Sequence, residues 1–392
     1  MKILHTSDWH VGRMLRGRSR AAEHEAVLAE IAGIARDEAV DLVLVVGDVF
    51  DSAAPTPESE RIAYAGLLGL AATGATVIVL SGNHDNERRL AAISPLLGLG
   101  RIVTRSSFLP AADGGVITGM TADGERWRVA TVPFLSQRWV VRAADLLDPG
   151  SDAADHGGTY RDRVARLVEA LTAEFTPDAV NVVAAHLHVD GGLLGGGERP
   201  AHTIFDYAVS PIAFPASAHY VALGHLHRAQ VVGGPCPIRY CGSPLTLDFG
   251  EVADIKGVTV VSASAGLPAS ARDVPLTAGR RLRTIVGTLA ELESQAGAVG
   301  DDWLKIIVRE PARVGLADDV RERFANVVDV IVAPPGADGS GLGSKAPRPD
   351  RSERTPHELF GEYLLDRRVE DPRLGALFSR LLDADTGAGA DR

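Results

Sequence analysis

Five short apolar runs in the first 230 residues each break off into residue types that bind metal ions. Leu4 leads into Asp8-Trp9-His10, Leu42–Val46 into Gly47-Asp48, and Thr76–Leu80 into Gly82-Asn83-His84-Asp85. Val180–Ala184 leads into His186-Leu187-His188, and Tyr220–Leu223 into Gly224-His225-Leu226-His227. Runs this short, rich in β-branched residues, read as buried strands. In open α/β sheets, binding groups collect beyond the carboxyl ends of the strands. Glycines before Asp48, Asn83 and His225 let the chain turn sharply off a strand. Residues two apart on extended backbone face the same way, so Asp8 with His10, and His225 with His227, can share a target. Asp, Asn and His donors suit Mn²⁺, Fe²⁺ or Zn²⁺, and the lack of thiolate donors argues against a structural zinc site. Roughly seven candidate donors are too many for one ion, whereas two ions about 3.5–4 Å apart, bridged by a carboxylate, would use them all.

Helical patterns separate the early runs, at Ala21–Glu38, Pro57–Ala71 and Glu87–Leu97, with another at Thr159–Phe175. This β-α-β-α start predicts an α/β sheet with helices outside. The later runs, Trp127–Val132, Val180–Ala184, Tyr220–Leu223, Pro237–Tyr240 and Val258–Val261, have fewer helices between them and predict an added, more antiparallel sheet. From near Asp273 the pattern restarts as strand Leu282–Thr288, helix Leu289–Gln295, strand Trp303–Val308, helix Ala317–Ala325 and strand Val327–Val332. The expected division is therefore 1–270, a small α/β domain over 271–334, a Gly/Pro/Ser-rich linker over 335–354, and a helical tail over 355–384. The tail opens on a capping box, Thr355-Pro356-His357-Glu358. It carries Leu359, Phe360, Tyr363 and Leu364, then Leu374, Leu377, Phe378, Leu381 and Leu382, at helical spacing. Beyond a loose linker, such apolar faces call for a partner's groove more than for the chain's own surface.

The net charge is −11 over 392 residues, so long-range electrostatics would repel duplex DNA. Two dications set against Asp8 and Asp48 would leave the site near about +2 and reverse this locally. Val11–Arg20 carries Arg13, Arg16, Arg18 and Arg20 with no acid among them, and it follows the first donor pair. A charge run is commonly a solvated face, but here the position favours phosphate contact by Arg13 and Arg16. Cys236 and Cys241 read as reduced thiols. The chain begins without a secretory apolar segment and has no membrane-length run, so a cytoplasmic protein with no membrane contact is expected. His188 reads as a neighbour of the site; His24, His156, His202 and His219 read as lying outside it. Asp51 is expected to orient the loop after Asp48.

These motifs resemble those of the calcineurin-like metallophosphoesterases, whose D-x-H, GD, GNHD/E, H and GHxH series is matched by Asp8/His10, Gly47/Asp48, Gly82–Asp85, His186 and Gly224–His227. More narrowly, the chain is similar to the SbcD family of bacterial nuclease subunits. The matching stretches are Ser7-Asp8-Trp9-His10-Val11-Gly12-Arg13, Gly47-Asp48-Val49-Phe50-Asp51, and Tyr240-Cys241-Gly242-Ser243-Pro244 continuing to Leu247-Asp248-Phe249-Gly250-Glu251. The chain departs from the family in Asn86-Glu87, where Ser-Pro is more usual, and in a long Pro335–Ser344 linker.

The resemblance implies a four-layered α-β-β-α sandwich, a small α/β capping domain, and C-terminal helices that bind an SbcC-type ATPase. It implies one ion on Asp8, His10, Asp48 and His227 and another on Asp48, Asn83, His186 and His225. Both are expected to be Mn²⁺, bridged by Asp48. His84 would then be the catalytic histidine beside the scissile phosphate, oriented by Asp85. The implied activity is 3′→5′ exonuclease action on duplex ends and endonuclease action on single strands and hairpins, by a homodimer within a heterotetramer. The alternative is a stand-alone esterase of a small phosphate ester or cyclic nucleotide, for which the extra domain and tail would be superfluous. A non-catalytic scaffold is disfavoured by the complete donor set. The chain has no G-x-x-x-x-G-K-[ST] motif, so ATP dependence would come from the partner.

Overall fold

The computed structural model describes residues 1–136, 140, 159–195, 197–198 and 208–333, and in the tail 360, 364, 373–375 and 377–378. The linker 335–354, the Thr355–Glu358 capping box, His156 and His202 lie outside the described residues. Two six-stranded sheets face each other. The first has the order β12-β11-β1-β2-β3-β4 and the second β5-β6-β7-β8-β10-β9. In the first sheet, β1 (Lys2–Thr6), β2 (Leu42–Val46), β3 (Thr76–Leu80) and β4 (Ile102–Arg105) run parallel. Antiparallel β11 (Gly257–Ser264) and β12 (Leu267–Pro275) extend one edge, so β12 crosses the expected 270/271 division. The second sheet was expected to be the more antiparallel one. Its centre is instead parallel: β6 (Arg126–Val132), β7 (Val180–His186), β8 (Tyr220–Gly224) and β10 (Ile238–Tyr240). Only the edges, β5 (Val116–Met120) and β9 (Gln230–Val232), are antiparallel. Long excursions between β6 and β7 and between β7 and β8 provide the crossovers that parallel pairing requires.

The strand sequences explain the layers. Alternate residues on a strand face opposite ways, and central strands here are apolar on both faces, as parallel strands buried on both sides must be. Leu42, Leu44 and Val46 of β2 meet Val180, Val182 and Ala184 of β7 in the core between the sheets. Val43 and Val45 turn outward onto α1 (Ala21–Asp37) and α2 (Pro57–Ala71), touching Val27, Ile31 and Leu67. On the far side, Val183 and Ala185 pack on Val164, Leu167 and Leu171 of α4 (Tyr160–Thr172). With α3 (Glu87–Gly98) beside β4, this is the α-β-β-α sandwich that the family resemblance implies. Thr56 caps α2 ahead of Pro57, and Thr159 and Asp162 form a reciprocal capping box on α4.

A parallel three-stranded sheet follows, β13 (Leu282–Gly287), β14 (Trp303–Arg309) and β15 (Val327–Ala333), with α5 (Leu289–Gln295) and α6 (Leu316–Arg323) as its crossovers. It has its own core around Ile306, Leu292 and Val320. In the tail unit, residues 360, 364, 373–375 and 377–378 are helical, and the rings of Phe360 and Phe378 stack with centroids 4.1 Å apart. Among the described residues, no helix is long and apolar enough to cross a membrane.

Candidate metal centre

All five donor motifs emerge at one end of the facing sheets, from the carboxyl ends of β1, β2, β3, β7 and β8. The loops after β1 and β2 are laced together: the N–H groups of Asp8, His10 and Val11 donate to the carbonyls of Gly47, Asp48 and Val49, each at 3.0 Å. The loop after β3 is tied to them by Asp85. Its carboxylate accepts N–H bonds from Gly82 (2.9 Å), Phe50 (2.9 Å) and Val49 (3.2 Å). Two glycines are required by close approach. At Gly47 (φ 82°) a Cβ would lie 2.2 Å from His186 Nδ1, and at Gly82 it would lie 2.3 Å from the Asp48 nitrogen.

The expected donors converge in two sets that share one oxygen. In the first, His10 Nε2 and His227 Nε2 are 3.1 Å apart, and Asp48 Oδ2 lies 3.6 Å from His10 Nε2. Ligand atoms of Asp8 stand within 4.8 Å of those of His10 and His227. In the second set, Asn83 Oδ1 is 3.1 Å from His186 Nε2 and 2.8 Å from His225 Nδ1, and Asp48 Oδ2 is 3.5 Å from His186 Nε2. Ligands about 2.1 Å from a shared ion stand about 3.0 Å apart at right angles and about 3.4 Å apart at tetrahedral angles. The observed separations are edges of such polyhedra, so the donor set fits divalent metal.

Electrostatics point the same way. Asp8, His10, Asp48, His186, His225 and His227 are all buried. Burial lifts the Asp8 carboxyl to about 6 against the pull of His186 and His227. Burial pushes Asp48 upward too, but His186, His10 and His84 hold it well below the usual carboxylate range. The His186 imidazole, disfavoured by burial but paired with Asp48, rises to about 9. Burial drops His10 to about 4, keeping it a neutral donor at physiological pH. A pocket this poor in solvent and rich in acceptors is stabilised by positive charge.

Two of the donor imidazoles, His186 and His227, have a partner behind the ring, the arrangement that fixes tautomer and raises ligand basicity. His186 Nδ1–H donates to the Val46 carbonyl at 2.8 Å, while His225 is fixed through its backbone N–H, which donates to both Asp8 oxygens at 3.1 Å. His227 Nδ1 stands 3.0 Å from Glu251 Oε1, and Glu251 also accepts from Lys256 Nζ (2.8 Å) and the Leu247 N–H (3.0 Å). Glu251 and Lys256 have no place in the donor series. The signal for Glu251 was the Leu247–Glu251 stretch, which carries no ligand of its own.

His84 is held differently from the expectation. Its Nδ1–H donates to the Asp51 carbonyl at 2.8 Å and its N–H to Asp48 Oδ1 at 2.8 Å, while Asp85 binds the backbone amides named above. Asp51 Oδ1 lies 3.3 Å from His10 Nδ1, off hydrogen-bond alignment, and accepts from Arg13 Nη1 at 3.1 Å. Arg16 pairs with Asp329 of β15 at 3.5 Å. Arg20, grouped by sequence with the loop arginines, is buried and bonded to Glu23. His188 has its ring 6.3 Å from that of His225. His24 is a core histidine bonded to the carbonyls of Arg20 and Trp9, and His219 Nδ1 accepts the Asn181 N–H.

Fold and site together define a metal-dependent hydrolase. Residues 1–229 match the family model for calcineurin-like phosphoesterases. The chain is similar to the SbcD component of the SbcCD nuclease of Bacillus subtilis, with 34% identity over 85% of both chains. It is 36% identical to that of Rhodobacter capsulatus over 70% of this chain and 69% of the other, and 30% identical to that of Escherichia coli K12 over 75% and 73%. The chain belongs to the calcineurin-like phosphoesterases and, within them, to the SbcD nuclease family.

Proposed function

We propose that this protein is a Mn²⁺-dependent DNA nuclease holding two ions, the nuclease component of an assembly with an SbcC-type ATPase. One observation carries the reading: Asp48 Oδ2 stands 3.6 Å from His10 Nε2 and 3.5 Å from His186 Nε2, between two donor sets. One ion belongs to Asp8, His10, Asp48 and His227, the other to Asp48, Asn83, His186 and His225. Bound ions lower the pKa of water and offset charge on phosphoryl oxygens. The chain's own groups orient the reaction. His84, with Nδ1–H committed to the Asp51 carbonyl, presents Nε2 to the substrate and, as the imidazolium, gives its Nε2 proton to the leaving 3′ oxygen, leaving the neutral Nδ1–H ring. Asp85 keeps the His84 loop against the Asp48 loop through backbone amides.

In this reading residues 1–270 are the nuclease domain, 271–334 cap it, 335–354 are a linker, and 355–384 bind the ATPase. The substrates are DNA ends and hairpins, cut 3′→5′ on duplexes and internally on single strands. The chain works in the cytoplasm as a homodimer within a heterotetramer. Arg13 and Arg16 contact the phosphate backbone, each exchanging its present carboxylate partner for DNA.

The purified protein with Mn²⁺ should cut linear duplex and hairpin DNA and bis-p-nitrophenyl phosphate, with the ATPase stimulating DNA cutting alone. Asp48→Asn should abolish all three. Hydrolysis of p-nitrophenyl phosphate with no DNA cutting would select the small-ester enzyme instead. Arg16→Ala should weaken DNA cutting and spare the small diester. Arg13→Ala should depress both, because Arg13 also holds the Asp51 carboxylate beside His10. Equal loss from Arg16→Ala on both substrates would remove its DNA role.

A further inference from the structure

A small apolar cluster stands apart from the large cores. Leu15 of the arginine loop, Phe249 of the short turn Phe249–Glu251, Leu282 of β13 and Trp303 of β14 are buried in it, with Val328 of β15 packed alongside. It is the seam between the sandwich and the three-stranded sheet. Trp303 is pinned there: its indole N–H donates to Glu23 Oε1 at 2.8 Å, and the Arg280 guanidinium lies 4.6 Å over its ring. Glu23 is held in turn by Arg20, which also donates to the Thr246 carbonyl at the start of the turn.

Two routes run from this cluster into the metal centre. Glu251, fully buried, lies two residues past Phe249. It closes the turn on the Leu247 N–H and holds His227 Nδ1 at 3.0 Å. A shift of Phe249 therefore carries Glu251 with it. On the other side, Leu15 anchors the loop whose Arg13 holds Asp51, which sits behind His10. Both routes end on His10 and His227, whose Nε2 atoms are 3.1 Å apart. Among the described residues no such route from the seam reaches His186 or His225. The Val46 carbonyl holds the His186 ring, and Asp8 holds the His225 backbone N–H, from within the sandwich.

We infer that Phe249 and Trp303 are positioning residues for one half of the metal centre: the seam sets Glu251, and through it the donor His227, while the Asn83/His186/His225 half is anchored on Val46 and Asp8, away from the seam. The inference rests on the two-ion reading above. A carboxylate behind a ligand imidazole is worth about 10–100-fold in metal affinity. Displacing the three-stranded sheet therefore changes the affinity for one ion and not the other.

The test is Mn²⁺ binding to the full chain by equilibrium dialysis, with electron paramagnetic resonance to separate paired from single ions. Wild type should bind two ions and show the coupled-pair spectrum. Phe249→Ala should weaken one ion by about tenfold, leave the other unchanged, and give a single-ion spectrum at intermediate Mn²⁺. Phe249→Leu should restore most of the loss, and Trp303→Phe should show it at smaller amplitude. If Phe249→Ala fails to fold, Trp303→Phe, which keeps the cluster filled but removes the indole N–H bond to Glu23, decides by the same comparison. Equal weakening of both ions overturns the inference, as does wild-type binding in Phe249→Ala or Trp303→Phe. A wild-type chain that binds fewer than two ions overturns the two-ion reading together with it.

Discussion

Asp8 (φ 53°), His10 (48°), Asp48 (50°) and His225 (106°) sit on left-handed backbone. Each such residue costs about 1–3 kcal/mol and persists only where its surroundings over-determine it. Here the lacing of the β1 and β2 loops does so for Asp8, His10 and Asp48, and the N–H bonds to Asp8 do so for His225, so left-handed backbone rather than the expected extended segment turns Asp8 and His10 to one target. Gly82→Ala should break that arrangement, since its Cβ would fall 2.3 Å from the Asp48 nitrogen and 2.1 Å from Oδ1. The expected outcome is at least about tenfold weaker Mn²⁺ binding, read by dialysis. His84→Ala should behave oppositely. Mn²⁺ binding is kept, while cutting of linear duplex DNA, whose 3′ alkoxide leaving group needs the proton, falls by about 10²–10⁴-fold, the range of a lost general acid.

At the scale of elements, the arginine loop is a small hairpin. Leu15 and Arg18 pair across Arg16-Gly17, whose φ values of 48° and 83° are those of the two-residue turn that matches strand twist. Gly17→Val should lower the unfolding free energy by about 1–3 kcal/mol, read by thermal denaturation, because a β-branched residue is strained there and Leu15 loses its anchor. The interior elements were legible in the residues alone: β2, β3 and α2 fall where the apolar periodicity puts them. The strands that periodicity did not mark are β4, β5, β9 and β12. β9 is three residues long, β5 contains Gly119, and β12 reads Leu-Pro-Ala-Ser-Ala-Arg-Asp-Val-Pro with much of it exposed. Each is an edge strand, stabilised by its neighbour's backbone more than by a buried face, and that leaves little trace in side-chain pattern.

For the whole molecule, Glu23 is where the sandwich meets the three-stranded sheet. Its buried carboxylate accepts from Arg20, the Arg280 N–H and the Trp303 indole. Burial works to raise its pKa, but the Arg20 bond and charge prevail and hold it below the usual glutamate value. The folded state thus favours the ionised form, so this contribution is complete above the unfolded pKa near about 4.3 and is lost as pH falls through the lower folded value. Glu23→Gln should destabilise by about 1–3 kcal/mol at pH 7, and the gap between its melting temperature and that of wild type should close on acidification toward pH 3. A constant gap would mean the carboxylate's charge has no part in the junction.

The sequence by itself determined the candidate donors and their order along the chain, because strand periodicity, turn glycines and ligand chemistry are local properties. Only the tertiary structure decided which groups stand behind those donors. Asp51 supplies the carbonyl that holds His84, Asp85 spends its carboxylate on backbone amides, Glu251 braces His227, and Arg13 is paired beside His10. These contacts join residues that are close only because two sheets and several loops pack together, and a side chain's partner across such a distance is set by where the backbone comes to rest.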